Sequence, residues 1–210
     1  MRKAILVLLL PLILAACGAA EPVWAPEDAV QRAVVPNTGP TQITLVTVLS
    51  NRDNTGAHSG LMIDASQHVL FDPAGTFNHP LMPERNDLIY GVTPVRKEIY
   101  IDYHARVTYR VVLQKLDVSP ETAELIFHRA QAYGAVPKAQ CANSISDILS
   151  GVPGFSSIQH TWFPKKLMKE FGEIPGVVET VTYDEDADDN RYVIYNYTTE
   201  AARRRAEAGG

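Results

Sequence analysis

Cys141 is the residue whose type and position most favour chemistry in this chain of 210 residues. It follows "VPKAQ" and opens "CANSISDILSG", a stretch whose apolar residues share one helical face: Cys141, Ile145, Ile148 and Leu149. A helix N-terminus carries partial positive charge, which stabilises a thiolate and lowers the pKa of a cysteine. Free backbone N–H groups there can also hold a developing oxyanion. Cys141 is therefore expected to be either a nucleophile or a small buried apolar residue.

A catalytic cysteine needs a general base and a residue that orients this base. Among the six histidines, His58 stands out because it begins "HSGLMID", where Ser-Gly precedes an apolar run. The glycine allows another backbone or a substrate to approach closely. The other histidines lie in contexts without a recognisable motif: His68, His79, His104, His128 and His160.

Asp72 is the candidate for the orienting residue, because it ends "HVLFD", the strand expected to pair with that of His58. A hairpin turn of three residues would place His58 and Asp72 opposite each other, and a turn of two or four would offset them by one. The sequence leaves this register open. It also leaves His68 as a rival for the orienting place.

The elements that must position these residues include strands rich in β-branched and aromatic residues. The candidates are "QITLVTVLS" (42–50), "HSGLMID" (58–64), "HVLFD" (68–72), "EIYIDY" (98–103) and "RVTYRVVLQKL" (106–116), with "DLIYGV" (87–92) as a strand or short buried piece. A last hairpin is expected from "VVETVTY" and "RYVIYNYT" around the acidic loop "DEDADDN".

Three helices are predicted in the middle of the chain. The first is "SPETAELIFHRAQAYG", where Ser119 can cap, Pro120 suits the first helical position and Gly134 suits the end. The second begins at Cys141, and the third is "PKKLMKEFG" (164–172). Together these patterns predict an α+β fold with mostly antiparallel strands.

The N-terminal stretch "MRKAILVLLLPLILAAC" fits an export signal, with Arg2 and Lys3 before an apolar stretch that is too short to span a bilayer. "LAAC" (14–17) resembles the lipobox of bacterial lipoproteins. This resemblance implies a diacylglycerol thioether on Cys17, cleavage before it and acylation of the new amino group. By analogy with that family, Gly18 rather than an aspartate in the next position favours the outer membrane over the inner one, if the host has two membranes. The alternative is an ordinary secretory signal followed by an incidental cysteine.

Removal of the predicted signal peptide (1–16) leaves 17 basic residues against 24 acidic ones, a net charge of −7. No broad basic field for nucleic acid is present. Lys165, Lys166 and the arginines at 203–205 are expected to be solvated; they could touch anionic lipid head groups, but two or three charges contribute little at physiological salt. The excess of acidic residues therefore excludes nucleic acid as an expected partner.

The mature chain is expected to divide into three parts. Residues 17–41 are predicted to be a lipidated N-terminus and tether, residues 42–198 a single domain, and residues 199–210 a polar tail. Since Cys17 is expected to carry lipid, Cys141 has no partner for a disulfide in an oxidising compartment. This favours a chemical use of its thiol.

The order of a histidine, a polar residue on the next strand and a cysteine at the head of a helix resembles the circularly permuted papain-like hydrolases. These belong to the NlpC-like superfamily, whose permuted branch includes the lecithin retinol acyltransferase-like enzymes. The matching stretches are "HSGLMID", "HVLFDPAGTF", "QCANSISDIL" and, more loosely, "FPKKLMKEF". The resemblance implies an antiparallel sheet or partial barrel with packed helices, with Cys141 as nucleophile, His58 as base and Asp72 in the orienting place.

The resemblance also implies a function. We expect a lipid-anchored hydrolase of the bacterial envelope, facing the periplasm, that cleaves an amide or acyl bond through a thioester on Cys141. Its substrate would be a peptidoglycan peptide or an acyl group of lipid or lipoprotein. An acyltransferase of the same fold and a non-catalytic binding lipoprotein are the alternatives. No cofactor or metal is expected, because "DEDADDN" lacks the glycine and distal glutamate of an EF-hand loop.

Overall fold

The computed structural model describes residues 19–197. The predicted signal peptide, Cys17 with its predicted lipid, and the predicted tail (199–210) lie outside the described residues. Within residues 19–197, no helix is both long enough and apolar enough to cross a membrane.

A seven-stranded antiparallel sheet forms the centre of the fold. In chain order its strands are β1 (Gln42–Ser50), β2 (Gly56–Asp64), β3 (His68–Phe71), β4 (Glu84–Arg85), β5 (Leu88–Tyr90), β6 (Tyr109–Asp117) and β7 (Val178–Thr182). Their order across the sheet is β4-β5-β3-β2-β1-β6-β7, so β2 lies in the middle and the sheet is open at β4 and β7. The predicted α+β class with antiparallel strands is confirmed.

The predicted helices in the middle of the chain are also present. In chain order the helices are α1 (Glu27–Ala33), α2 (Pro94–His104), α3 (Pro120–Tyr133), α4 (Cys141–Leu149) and α5 (Pro164–Gly172). Ser119 caps α3 by accepting a hydrogen bond from the N–H of Thr122, and Gly134 ends it with a positive φ of 89°.

Helices cover both faces of the sheet, because its central strands alternate apolar side chains between the two faces. Leu45 of β1 lies in the larger hydrophobic cluster with residues of α3, α4 and α5. Its neighbour Val46 lies in a second cluster with Ile99 and Tyr100 of α2. The helices α3, α4 and α5 therefore pack on one face of the sheet and α2 packs on the other.

The stretch "EIYIDY" lies within α2, so its prediction as a strand is wrong. Thr93 caps this helix through its side-chain oxygen, and Pro94 occupies the first helical turn. The β-branched and aromatic residues favour a strand locally. Burial of Ile99 and Tyr100 against the sheet outweighs that preference.

The predicted last hairpin is wrong in its second half. "VVETVTY" contains β7, but this strand pairs with β6 rather than with "RYVIYNYT". Residues 193–197 form a helical turn, which buries Val193 in the same cluster as α2. The acidic loop between them is tied to the start of β6, since the N–H of Val107 donates to the carbonyl oxygen of Asp186.

The segment 24–36 lies against the domain, whereas the sequence predicts a tether as far as residue 41. The N–H of Ala25 donates to the carbonyl oxygen of Glu84, and Arg85 forms an ion pair of 2.9 Å with Glu27. Val30 of α1 is buried in the larger cluster. Every packed element of the structure therefore lies within residues 24–197.

Candidate active site

Cys141 is the first residue of α4, as predicted, and 7% of its surface is exposed. The preceding Gln140 makes no side-chain capping hydrogen bond, so a cap does not occupy the first N–H groups of α4. Backbone N–H groups of Ser59 and Ala142 interact with the Cys141 sulfur and lower its pKa. The start of α4 and the neighbouring strand β2 therefore each supply a backbone donor to a nearly buried thiol.

His58 of β2 binds Asp72, the residue that follows β3. Its Nε2 atom lies 2.7 Å from Oδ1 of Asp72. Only Nδ1 of the ring remains to face Cys141, and a hydrogen-bonding interaction with that thiol raises the pKa of His58. The structure thus brings together the three residues singled out from the sequence.

The register of this hairpin differs from the expected one. The turn between β2 and β3 has three residues and pairs Asp64 with His68, so the expectation that such a turn sets His58 opposite Asp72 is wrong. Leu61 pairs with Phe71, so Asp72 lies beside Gly60, two residues from His58. Residues two apart on a strand share a face, and diagonal neighbours are within reach of a long side chain. The imidazole therefore reaches the carboxylate across the position of the glycine.

Two glycines make room for this carboxylate and its partners. A Cβ atom on Gly75 would lie 1.9 Å from Oδ2 of Asp72, and one on Gly60 would lie 2.5 Å from the hydroxyl oxygen of Tyr100. No side chain fits at such distances without movement of its neighbours. The sequence pattern pointed to close approach at Gly60, whereas nothing in "DPAG" distinguished Gly75 from an ordinary turn glycine.

Tyr100 is a site residue that sequence reasoning missed. Its hydroxyl donates to Oδ1 of Asp72 at 2.6 Å, the same oxygen that binds His58. Burial raises the pKa of Tyr100 well above its usual value, as does the Asp72 carboxylate, so the hydroxyl keeps its proton. Tyr100 therefore fixes the carboxylate from the side of α2.

His104 is the second missed residue. Its ring is stacked on that of His58, with centroids 5.6 Å apart, and its Nδ1 lies 2.9 Å from the carbonyl oxygen of Tyr100. Because a carbonyl can only accept, Nδ1 carries the proton and Nε2 does not. Burial, together with the positive charge of His58, lowers the pKa of His104 to about 4 against the opposing effect of Asp72. His104 is therefore neutral at physiological pH.

The charges of the site favour a thiolate paired with an imidazolium. Burial lowers the pKa of His58, but the Asp72 carboxylate and the Cys141 thiolate outweigh this effect and raise it to about 10. Burial raises the pKa of Cys141, but the interactions with His58 and with backbone N–H groups bring it below the usual value. Burial likewise raises the pKa of Asp72, and the charged His58 ring more than offsets this effect.

His68, the rival for the orienting place, lies away from His58. Its Nδ1 is 2.5 Å from Oδ1 of Asp64, which lies across the hairpin from it. The geometry therefore favours Asp72 for the orienting place. The remaining histidines have other partners: His79, His128 and His160.

A cavity of about 270 Å³ opens beside His58. Its walls include His104, Tyr103, Thr76 and Asn190, so most of the groups that line it near the imidazole are polar or aromatic. A molecule in this cavity would contact the face of the site that His58 and His104 share.

The histidines and the carboxylate do not form a good metal site. His58, Asp72 and His104 each offer an atom within 4.8 Å of the others. The two imidazole planes are 7° from parallel, however, and two stacked rings cannot both direct a lone pair at one ion. This group is better described as an ion pair with a stacked neutral ring.

A second group of acidic side chains lies near α2 and consists of Asp102, Asp184 and Asp186. The guanidinium of Arg106 already lies 2.5 Å from Asp102 and 3.3 Å from Asp186. This cation supplies the positive charge that the carboxylates need, so the group is a structural ion-pair cluster. The acidic loop thus anchors to α2 and β6 rather than being wholly solvated.

Comparisons with known proteins identify no family for this chain. No family model matches it, and neither a curated protein nor a solved structure was found to match.

Proposed function

We propose that this chain is a thiol-dependent hydrolase of the cell envelope, with Cys141 as nucleophile, His58 as general acid and base, and Asp72 as the orienting residue. One observation carries the proposal. A nearly buried thiol at a helix N-terminus faces an imidazole whose other nitrogen is held by a buried carboxylate at 2.7 Å. A structural cysteine in apolar surroundings needs none of these partners.

In the first half of the reaction, the Cys141 thiolate would attack the carbonyl carbon of an amide or ester. A carbon–sulfur bond forms, and the carbonyl oxygen becomes an oxyanion close to the first N–H groups of α4. The His58 imidazolium then gives its proton to the leaving nitrogen or oxygen, and the bond to that atom breaks. The products are a thioester on Cys141 and a neutral imidazole.

In the second half, water attacks the thioester and His58 takes a proton from it. The carbon–sulfur bond breaks, a carboxylic acid leaves, and the thiolate–imidazolium pair is restored. Throughout both steps Asp72 holds Nε2 and stabilises the charged ring, so that Nδ1 stays directed towards the sulfur. The uncharged ring of His104 packs against the same imidazole.

The α+β fold can also be assigned to a more specific group. The order of β2, β3 and α4, with His58, Asp72 and Cys141 on them, is the order expected of a circularly permuted papain-like domain. We propose that the chain is a divergent member of that group. Under this hypothesis its substrates are peptidoglycan peptides or acyl groups of lipid or lipoprotein.

The envelope location rests on "LAAC" alone. If Cys17 carries lipid, replacement of this residue by serine abolishes labelling with a radioactive or alkyne-tagged fatty acid and releases the protein from the membrane fraction. A Cys141→Ser variant is the matched control and should stay in the membrane. Absence of lipid on the wild-type protein by mass spectrometry would remove the anchor from the proposal.

An acyltransferase of the same fold is the second candidate, and the cavity beside His58 is the observation that favours it. A space of about 270 Å³ next to the general base can hold an acceptor larger than water. An amine or alcohol bound there would replace water in the second half of the reaction. The two candidates therefore share the thioester and differ only in what releases it.

An activated ester with a small acyl group tests both candidates. On incubation with p-nitrophenyl acetate, the wild-type protein should release nitrophenol and carry an acetyl group on Cys141, located by mass spectrometry. Cys141→Ala should show neither, while the exposed His128→Ala should behave as wild type. Added alcohols and amines then separate transfer from hydrolysis by the product formed. If Cys141 is never acylated, both enzyme hypotheses fail and the binding lipoprotein replaces them.

A further inference from the structure

A patch of exposed aromatic and basic side chains lies before and along α5. Trp162 and Phe163 are adjacent in the chain and are 52% and 69% exposed. Three lysines follow on the exposed side of the helix: Lys165, Lys166 and Lys169. We call these five residues the α5 patch. The opposite face of α5 buries Leu167 and Phe171, so the helix is held firmly beneath the patch.

The positive charge of this patch is local, in a chain whose net charge is negative. Residues 159–169 contain three lysines and no carboxylate. Within the described part of the chain, Lys165 forms no ion pair, and the pairs of the other two are long. The distances are 3.6 Å from Lys166 to Glu170 and 4.0 Å from Lys169 to Glu173. Such exposed pairs contribute little and leave both ammonium groups able to meet another anion.

The start of α5 lies against the strand that carries His58. A Cβ atom on Gly56 would lie 2.8 Å from Cβ of Pro164, so the loop that carries Trp162 and Phe163 runs directly against the start of β2. The next two residues of β2, Ala57 and His58, line the cavity beside the imidazole. The start of α5 therefore contacts the strand that carries His58, whereas α5 itself and the cavity beside α2 lie on opposite faces of the sheet.

We propose that the α5 patch docks on the surface of an anionic phospholipid membrane. Tryptophan and phenylalanine are favoured in the interfacial region, and lysines next to them reach the phosphates. A lipid surface suits this composition better than a protein partner does, because lysine is depleted in the cores of protein interfaces.

Vesicle sedimentation of the chain from residue 18 onward tests the proposal without any lipid anchor, since every packed element of the structure lies within residues 24–197. The probes are vesicles of phosphatidylglycerol with phosphatidylethanolamine, and of phosphatidylcholine alone. We expect binding to the former, weakened by 0.5 M salt, and little binding to the latter. Because each lysine near an anionic surface changes the partition coefficient roughly fivefold, reversal of all three to glutamate should lower it by more than tenfold.

Trp162→Ala combined with Phe163→Ala should lower partition by a similar factor, because the interfacial side chains are lost. Leu81→Ala is the matched control, since Leu81 is equally exposed at 55% and lies outside the patch. Circular dichroism checks that each variant folds. Cys141→Ala should bind vesicles as wild type does, which separates this proposal from the proposed catalysis.

Two results would overturn the proposal. The first is equal partition of the protein into anionic and neutral vesicles, or binding of the patch variants to anionic vesicles as strong as that of the wild type. The second is self-association of the chain that depends on Trp162 and Phe163 and occurs without lipid. In that case the patch is a contact between two copies.

Discussion

The imidazole rings of His58 and His104 lie with centroids 5.6 Å apart and planes only 7° from parallel. The hydrogen bond from Nδ1 of His104 to the carbonyl oxygen of Tyr100 fixes the His104 ring, and burial keeps this ring uncharged. The neutral His104 ring thus limits the rotation of the charged His58 ring. His104 is therefore a positioning residue for the proposed general base.

His104→Ala should slow alkylation of Cys141 by iodoacetamide at pH 7 by several-fold, because the His58 ring gains freedom to turn from the thiol. His104→Phe, which keeps a flat ring in the stack, should restore most of the rate. The measurement is a time course of labelling by mass spectrometry. Equal rates in the alanine variant and the wild type would show that the stack has no orienting effect.

Asp72→Asn should lower the pKa of His58 from about 10 towards its usual range, because the largest effect that raises it is the Asp72 charge. We expect acylation of Cys141 at pH 7 to fall roughly 100-fold as the ion pair is lost. His68→Ala is the control and should change little, since His68 binds Asp64 instead. The opposite ranking of the two variants would transfer the orienting role to His68.

Gly75→Ala should destabilise the fold by about 1–3 kcal/mol and also impair acylation, because the new Cβ atom would overlap with the Asp72 carboxylate. Gly39→Ala is a suitable comparison. Its Cβ atom would make only an ordinary contact of 3.5 Å with Asn37. Urea unfolding of both variants gives the difference in free energy, and equal stabilities would contradict the crowding around Asp72.

The free energy of unfolding should also depend on the His58 proton. Because the pKa of His58 is raised to about 10 from about 6.5, the proton binds more tightly in the folded state. Its stabilisation is fully present below about pH 6.5 and is lost as the pH rises through about 10. Urea unfolding of Cys141→Ala, which lacks the opposing titration of the thiol, should therefore show stability falling as the pH rises above about 6.5, and the fall should end at a lower pH than in the wild type because the thiolate no longer raises the pKa of His58. The fall should be smaller when His58→Gln is added.

Strong local patterns explain which parts of the site were predictable. The cap and proline of α3 and the amphipathic run that starts at Cys141 determine their helices largely without help from the rest of the chain. The pairing of β2 with β3 follows from a short turn between two apolar stretches. Cys141, His58 and Asp72 could accordingly be named before the structure was known.

The other site residues depend on tertiary packing. Tyr100 and His104 lie on a helix whose sequence favours a strand, and only burial against the sheet decides between the two. The pair Thr93-Pro94 was the one local signal for a helix start there. The diagonal contact of His58 with Asp72 depends on the hairpin register, and the role of Gly75 depends on where the carboxylate comes to lie.

The rate at which iodoacetamide alkylates Cys141 in the folded protein, measured as a function of pH, reports directly whether His58 activates the thiol. We expect a midpoint below the value of about 8.5 for a free cysteine, because stabilisation of the thiolate by the His58 imidazolium and by backbone N–H groups outweighs the effect of burial. In His58→Ala the midpoint should rise. A wild-type midpoint at or above about 8.5, or labelling that occurs only after denaturation, would contradict the account.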